Sequence, residues 1–355
     1  MIGLKQNFYG IILRIEMQYK IAFRCDASPS VGVGHLVRCI ALATYLKKAD
    51  DIFSMMLIAP VADYTHYIPS GIFDEIEEVE FKGSLVDAER LVEINRLHKK
   101  ILFVLDDYRI DDLYQIKLNE EGVKWLQFDN SQLKNLWADI VLNASLSCNE
   151  KDYTNLIKNS SSQLVLGSEY LILKNDVYQA KIKYTKNENK YLSVFMGGGD
   201  DRGSLVIIMS FLMELKISTP IIVISDKNNP RNESNRSWIN SKPGSNIEYV
   251  ENPDNLFEIL CNSKICICSG GNLAYELSYL EIPMMIISLA NNQESQARYW
   301  HKLQAAIYLG KIEDVQIDQI EKGLLKSFYF RPNHANVSSR AADLVGIILN
   351  FCRSM

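Results

Sequence analysis

Short apolar runs alternate with amphipathic segments along most of this chain, and the alternation predicts its architecture. In the first half, periodic segments predict helices over 35–48, 85–99 and 111–121. The apolar runs between them predict strands over 21–26, 53–58, 78–81, 101–107, 125–129 and 140–143. Repeated strand–helix alternation is typical of a parallel, doubly wound sheet that is covered on both faces.

The second half repeats the pattern and closes with an apolar helical segment over 336–352. Further strands are predicted over 191–196, 221–225, 247–250, 265–268 and 281–288. The fold class is therefore α/β, with two doubly wound, Rossmann-like domains that face a cleft. The expected division is an N-terminal domain over 17–173, a polar lysine-rich linker over 174–190, a C-terminal domain over 191–330 and a closing helix within 331–355.

Composition narrows the classes of function. The formal net charge of −5 argues against a nucleic-acid partner, and no stretch is long and apolar enough for stable membrane insertion. The seven cysteines follow no pairing pattern, which indicates reduced thiols and a cytoplasmic location. Residues 1–16 are interpreted as a leader outside the fold, with Met17 as the natural start; a surface-lying amphipathic piece is the alternative. We expect a monomer without cofactor or metal.

The stretch around His35 carries the strongest candidate chemistry. The strand over 21–26 leads through Gly32 and Gly34 into a helix, and such a turn directs free backbone N–H groups toward a ligand. His35 falls in the first turn of that helix. The positive end of the helix disfavours an imidazolium, so we expect a neutral His35 that can act as a general base.

Several polar residues should reach the same rim of the sheet. Asp106, Asp107 and Tyr108 end one predicted strand, and Asp129 ends the next. Ligands of doubly wound sheets bind beyond the carboxyl ends of the strands, which is where these residues would lie. For any one of these acids, helix capping or a solvated loop is the alternative.

The second half contains the same strand–glycine–helix device twice. Gly197-Gly-Gly-Asp forms one glycine-rich loop, and Ser269-Gly-Gly-Asn forms the other. The backbone N–H groups of Gly270, Gly271 and Asn272 would cradle a diphosphate, and Glu276 would accept hydrogen bonds from ribose hydroxyls. A plain strand-to-helix turn is the alternative.

Taken in order from about residue 19 to residue 310, these motifs resemble those of the UDP-sugar hydrolases of pseudaminic acid biosynthesis, the PseG family. That family is related to the MurG-type glycosyltransferases with the two-domain GT-B fold. The stretches that carry the resemblance are Phe23-Arg-Cys-Asp-Ala-Ser, Gly32-Val-Gly-His-Leu-Val-Arg-Cys, Asp107-Tyr, Gly197-Gly-Gly-Asp, Ser269-Gly-Gly-Asn-Leu-Ala-Tyr-Glu-Leu and Asn292-Gln-Glu-Ser. Glu281-Ile-Pro departs from the Gly-x-Pro of many relatives.

The resemblance implies hydrolysis of UDP-2,4-diacetamido-2,4,6-trideoxy-β-L-altrose to UDP and the free sugar, with inversion at the anomeric carbon. It implies catalytic roles for His35, Tyr108 and Asn292. The residues implied to contact the substrate are Arg24, Asp26, Gly34, Gly198, Gly199, Ser269, Gly270, Gly271, Asn272, Glu276, Gln293 and Glu294. Three other functions stay open: a MurG-like glycosyltransferase, a hydrolase of a related UDP-diacetamido sugar and a non-catalytic nucleotide-sugar sensor.

Overall fold

A computed structural model describes residues 19–27, 33–50, 53–61, 64–129, 134–184, 190–227, 229–242, 246–327 and 336–355. The predicted leader, residues 1–16, lies outside the described residues. The chain divides into two compact units. The first runs to Ile172 and takes in Ser338–Met355, and the second is Leu173–Val337.

The first unit is built on a parallel sheet with the strand order β3-β2-β1-β4-β5-β6-β7. Its strands are β1 (Tyr19–Cys25), β2 (Phe53–Ala59), β3 (Glu75–Glu78), β4 (Ile101–Asp106), β5 (Trp125–Phe128), β6 (Ile140–Asn143) and β7 (Gln163–Leu166). Its helices are α1 (Gly34–Ala49), α2 (Ser84–Leu97), α3 (Asp112–Glu120), α4 (Glu150–Tyr153) and α12 (Ala341–Ser354), the last being the twelfth in chain order. Short 3₁₀ turns form at Thr65–Tyr67 and Ser168–Tyr170.

The two faces of the first sheet bury different residues because strand side chains alternate. Ile21 and Phe23 pack with α1 and with Leu344 of α12 in one cluster. Ala22, between them in sequence, joins Phe103 of β4 in a cluster on the other face, under α2 and α3. Near-continuous apolar runs such as β4 are therefore needed, since both faces of the sheet are covered.

The second unit repeats the design with the strand order β10-β9-β8-β11-β12-β13, again parallel. Its strands are β8 (Tyr191–Phe195), β9 (Ile221–Ser225), β10 (Ile247–Glu251), β11 (Ser263–Ser269), β12 (Met284–Ser288) and β13 (Ile307–Lys311). Its helices are α5 (Asn175–Lys183), α6 (Ser204–Glu214), α7 (Asn232–Asn240), α8 (Leu256–Cys261), α9 (Leu273–Tyr279), α10 (Asn291–Lys302) and α11 (Ile317–Ser327). The α/β class and the doubly wound character of both sheets are confirmed.

Two expectations about local structure were wrong. The strand predicted over 78–81 is β3, Glu75–Glu78, an edge strand whose side chains are mostly exposed. The expected linker over 174–190 contains α5, which buries Val177 and Ala180 and packs against α8 in the second unit. The helix expected at the end of the chain is α12, which packs into the core of the first unit.

Candidate functional site

His35 lies where the strand order of the first sheet reverses. β1 and β4 are neighbours at this point, with Cys25 paired to Asp106 at their carboxyl ends. Ligands of open parallel sheets bind outside such a switch point. Helix α1 begins at Gly34, so that His35 falls in its first turn, where its side chain is buried. Gly34 itself is exposed, and an added Cβ there would meet no atom within 4 Å.

The carboxylate of Asp106 holds one edge of the His35 ring. Its Oδ1 lies 2.6 Å from Nδ1 of His35. Arg38 of α1 also donates to Asp106, through Nε to Oδ2 at 2.7 Å and through Nη2 to Oδ1. Burial alone would raise the pKa of Asp106, but the charge of Arg38 and the hydrogen bonds from His35 and Arg38 hold that pKa below its ordinary value. Asp106 is therefore an ionised acceptor.

This contact decides which nitrogen of the imidazole can act as a base. An ionised carboxylate only accepts hydrogen bonds, so the hydrogen shared with Asp106 is assigned to Nδ1 of His35. In a neutral imidazole the lone pair then lies on Nε2. The same arrangement stabilises the positive charge that forms when Nε2 takes a proton. His35 and Asp106 together form a general-base pair.

Tyr108 packs edge-on against the ring of His35, with ring centroids 4.5 Å apart and planes at 79°. More than half of its side chain, 58%, is exposed. Two cations hold the turn that carries it. Arg109 donates to both oxygens of Asp107 at 2.9 and 2.6 Å, and Lys134 donates from Nζ to the carbonyl oxygen of Tyr108. Tyr108 therefore presents an exposed aromatic ring beside a buried base.

Two residues from the end of β1 were expected to contact substrate, and the structure separates them. Asp26 is buried at the rim, with Oδ2 3.3 Å from Nη2 of Arg109. Arg24 points into the core, where only 1% of it is exposed. Its Nε and Nη2 donate to Asp87, and its Nη1 donates to the carbonyl oxygen of Cys25. The expectation for Arg24 is therefore corrected: its guanidinium has a structural role.

Asp129, expected at the same rim, is also part of a buried network. Its Oδ2 accepts a hydrogen bond from the hydroxyl of Tyr153 at 2.7 Å, and that hydroxyl accepts one from Asn143 at 2.7 Å. Burial and the neighbouring charge of Asp129 raise the pKa of Tyr153. This network ties the ends of β5 and β6 to α4.

In the second unit, the two glycine loops meet at the corresponding switch point, between β8 and β11. Ser269 ends β11 and donates from Oγ to the carbonyl oxygen of Met196 at 2.8 Å. Gly199 has a φ of +137°, a backbone conformation that side chains disfavour. A Cβ added at Gly198 would lie 3.3 Å from Oδ2 of Asp226, which is tighter than ordinary contact. The expected loops are thus adjacent and closely packed.

The expected backbone cradle at Gly270 needs a correction. The N–H of Gly270 donates to the carbonyl oxygen of Ile287 at 3.2 Å, so it continues the sheet and is not available to a phosphate. A Cβ there would lie 3.2 Å from Cβ and from the backbone oxygen of Gln293. Gly270 is needed for this close approach, whereas phosphate contacts from Gly271 and Asn272 stay predictions.

The segment over 292–294 opens helix α10 beside these loops. Gln293 accepts the backbone N–H of Leu289 on its Oε1 at 2.9 Å, and Arg202 donates to the carbonyl oxygen of Leu289 at 2.8 Å. Glu294 forms ion pairs with Arg298 and with Lys311. Arg298 also donates a hydrogen bond to Oε1 of Glu294. A structural role accounts for these contacts of Gln293 and Glu294. The side chain of Asn292 lies outside the described residues.

Glu276 lies on α9, one turn after the second glycine loop. Burial raises the pKa of its carboxyl group, and the charge of Lys174, whose Nζ is 4.0 Å from Oε1, opposes that rise. A buried carboxylate whose ion pair, at 4.0 Å, is this long is an unusual arrangement for a purely structural group. Glu276 therefore stays the strongest polar candidate of the second unit.

Over the described part of the chain, no group of three or more His, Cys, Asp or Glu side chains could hold a metal ion. Within the same residues, every helix is too short or too polar to cross a bilayer. All seven cysteines carry free thiols.

Two cations near the first switch point, Arg38 beside the base and Arg109 beside Asp26, were not singled out by sequence. Arg38 lies three residues after His35 and so shares its helix face, which is a usable signal once the helix is known. Arg109 is separated in sequence from Asp26, and nothing in the local pattern indicates that pair.

The two doubly wound parallel sheets give this chain the GT-B fold, which solved structures similar to it share. MurG of Acinetobacter baumannii aligns with a TM-score of 0.63 over 95% of this chain and 100% of its own, at 12% identity. A UDP-GlcNAc 2-epimerase from Neisseria meningitidis, bound to UDP-GlcNAc, aligns with a TM-score of 0.62 over 95% and 100%, at 10% identity. At these identities the likeness is one of fold.

More particular similarity comes from sequence. The chain is similar to a UDP-2,4-diacetamido-2,4,6-trideoxy-beta-L-altropyranose hydrolase of Campylobacter jejuni, at 27% identity over 80% of this chain and 96% of that protein. This match confirms the resemblance drawn from the motifs. An uncharacterized protein of Methanocaldococcus jannaschii is 25% identical over 86% of this chain, which spans 61% of that relative. No protein-family model matches the chain.

Proposed function

We propose that this protein hydrolyses UDP-2,4-diacetamido-2,4,6-trideoxy-β-L-altrose to UDP and the free sugar, in pseudaminic acid biosynthesis. The observation that carries the proposal is the buried His35–Asp106 pair at the switch point of the first unit. The similar hydrolase of Campylobacter jejuni, which matches across nearly its full length, supports the substrate class. The free thiols support action in the cytoplasm, where disulfides are rare.

In the proposed reaction, Nε2 of His35 takes a proton from one water molecule. The water oxygen forms a bond to the anomeric carbon on the face opposite the nucleotide. The anomeric C–O bond breaks, and its electron pair leaves with the diphosphate of UDP. Inversion follows from this single displacement. The imidazolium that forms is stabilised by ionised Asp106 at Nδ1.

The leaving group removes the need for a strong general acid. The charge that develops on the departing oxygen spreads over a diphosphate, which backbone N–H donors can stabilise further. We assign this contact to Gly271 and Asn272 of the second unit and the ribose contact to Glu276. Tyr108 is assigned to the sugar because its exposed ring flanks the base. A catalytic contribution from Asn292 also belongs to the proposal.

The test is to incubate the protein with this UDP-sugar and to follow the anomeric protons by NMR. We expect UDP and free sugar, with the inverted anomer appearing first. His35→Ala should lower kcat by about 10²- to 10⁴-fold, the usual contribution of a general base. His66→Ala is the matched control, since His66 is an exposed histidine of the 3₁₀ turn at Thr65–Tyr67.

Two results would contradict the proposed reaction. First release of the retained anomer would reject the single displacement. Absence of turnover by a protein that binds UDP would reject the hydrolase of this sugar.

The second candidate is a MurG-like UDP-sugar glycosyltransferase, which the structural likeness to MurG favours. A transferase needs an acceptor, whereas the hydrolase releases free sugar in buffer alone. Product analysis with no added acceptor therefore separates the two. A hydrolase of a related UDP-diacetamido sugar is separated by comparing kcat/KM for the two sugars.

A further inference from the structure

Arg38 donates hydrogen bonds to both carboxylate oxygens of Asp106, the residue that orients His35. Its Nε lies 2.7 Å from Oδ2 of Asp106, and its Nη2 donates to Oδ1, the oxygen that also contacts His35. The guanidinium lies 4.7 Å from the ring centroid of Phe128, so a second surface limits its movement. Arg38 lies one turn beyond His35 on α1, so the same helix carries the base and the arginine that holds Asp106.

We propose that Arg38 is a positioning residue for the base. By holding Asp106 in one orientation, Arg38 keeps the hydrogen of His35 on Nδ1 and the lone pair on Nε2. This inference rests on the proposed function for its kinetic consequence, but the state of the imidazole can be measured without substrate.

The geometry explains why an arginine suits this position. A carboxylate turns readily about its terminal torsion, so a single hydrogen bond from His35 would leave Asp106 several orientations. The planar guanidinium forms a fork that matches two carboxylate oxygens, and it stacks on aromatic rings. A lysine would restore the positive charge but could not reproduce the fork. Charge and orientation can therefore be separated by substitution.

Arg38 also sets the electrostatic balance at the imidazole. Among the described residues, the charged or titratable groups that face His35 are Asp106 of β4, Tyr108 of the following turn and Arg38 itself. Burial and a hydrogen bond with Cys25 raise the pKa of the adjacent Cys39 thiol, which stays neutral. The charge of Arg38 partly offsets that of Asp106, which remains the acceptor at Nδ1 of His35.

Loss of the guanidinium fork has a defined consequence for the base. In Arg38→Met, both oxygens of Asp106 lose the donors that fix them, and only the contact with His35 still orients the carboxylate at this site. The carboxylate can then turn, which should lower kcat by about 10- to 100-fold through misorientation of the ring.

The experiment compares Arg38→Met and Arg38→Lys with Lys48→Met, which removes an exposed cation from the same helix. The kinetic readout is the split between kcat and KM. Arg38→Lys restores the positive charge but not the fork, so it should not restore kcat, whereas Lys48→Met should leave kcat and KM unchanged. The structural readout is the ¹⁵N spectrum of the imidazole, in which the Nδ1 hydrogen should be fixed in the wild-type protein and exchanging in Arg38→Met.

Each result decides the matter. A fixed Nδ1 hydrogen in Arg38→Met would overturn the proposal, and so would a rise in KM with kcat unchanged, which indicates a substrate contact. If Arg38→Met fails to fold, Arg38→Lys decides it, because full kcat in that variant refutes the need for the fork. Failure of the proposed function is distinguishable, since the wild-type protein would then not hydrolyse the sugar while the ring spectra still report on Arg38.

Discussion

Arg24 gives the sharpest test of how the first unit is held together. Its guanidinium donates to Asp87 from Nε at 3.1 and 3.0 Å and from Nη2 at 2.8 Å, and the side chains are only 1% and 4% exposed. Tyr114 adds a hydrogen bond to Oδ2 of Asp87 at 2.8 Å. Burial alone would lower the pKa of Arg24, but the hydrogen bonds and charge of Asp87 raise it. Arg24 is therefore a charged group in the core, where it pairs with Asp87.

The perturbation is Arg24→Met, which keeps the length of the side chain and removes its charge. Asp87 would then stay buried with one neutral donor, the hydroxyl of Tyr114. Leaving one ion of a buried pair without its partner costs about 3–5 kcal/mol of unfolding free energy. For a unit of this size, about 2–4 °C of melting temperature corresponds to each kcal/mol, so we expect Tm to fall by about 6–20 °C.

The assay is thermal unfolding of the wild-type protein, Arg24→Met, Asp87→Leu and the double variant. The double variant should recover most of the loss, because replacing both ions by apolar groups is often close to neutral. Arg90→Met is the control, since Arg90 pairs with Glu77 and Glu93 while 42% of its side chain is exposed, and such pairs contribute about 0–1 kcal/mol. A double variant as unstable as Arg24→Met would refute the reasoning.

Three further predictions concern the second unit and the chemistry. UDP affinity, measured by calorimetry, should fall as pH drops, because Glu276, whose pKa is raised, becomes protonated and no longer accepts hydrogen bonds from the ribose as a carboxylate. Glu276→Gln should remove this pH dependence and weaken binding by about 10- to 100-fold, and an unchanged pH profile in that variant would contradict the assignment. Gly270→Ala should cost about 1–3 kcal/mol of stability, measured by thermal unfolding, because its Cβ would lie 3.2 Å from Gln293. Gly271→Ala, where the nearest atom is 3.7 Å away, should cost less stability, and equal losses would count against this packing. Hydrolysis should continue after chelation with EDTA, since the His35–Asp106 pair activates the water itself; activity lost to EDTA and restored by Mg²⁺ would reject that mechanism.

The sequence predicted the strands well wherever both faces of a strand are covered. β4 and β12 are near-continuous apolar runs, and each lies where the pattern indicates. The prediction failed at β3, whose residues Glu75–Glu78 give almost no apolar signal because an edge strand needs little burial. It failed again at α5, where only Val177 and Ala180 are buried among lysines, so composition indicated a linker.

The residues of the candidate site could be predicted from the sequence only in part. The turn that carries His35 could be predicted, since a glycine turn between strand and helix is a local pattern. Arg24 and Asp26 stand two residues apart in the same motif, and strand alternation assigns both to one face of the sheet. Arg24 lies within β1 and meets the buried carboxylate of Asp87, whereas Asp26 follows the last residue of the strand and lies at the rim. A motif therefore identifies a segment, while the role of each side chain depends on the partners that the fold brings to it.

Contacts between residues that are distant in sequence cannot be predicted from local patterns, and in this site such a contact forms the base. His35 and Asp106 are 71 residues apart, and they meet because β4 inserts beside β1 in the sheet. That insertion is what reverses the strand order, so the topology that opens a ligand site also delivers the carboxylate to the histidine. Helix α1 begins at Gly34 and β4 ends at Asp106, and Arg38 of α1 joins the helix to the strand by its hydrogen bond to Asp106. The base is therefore a property of the sheet order, and substitutions that shift β4 against β1 should impair catalysis even where no residue of the site is changed.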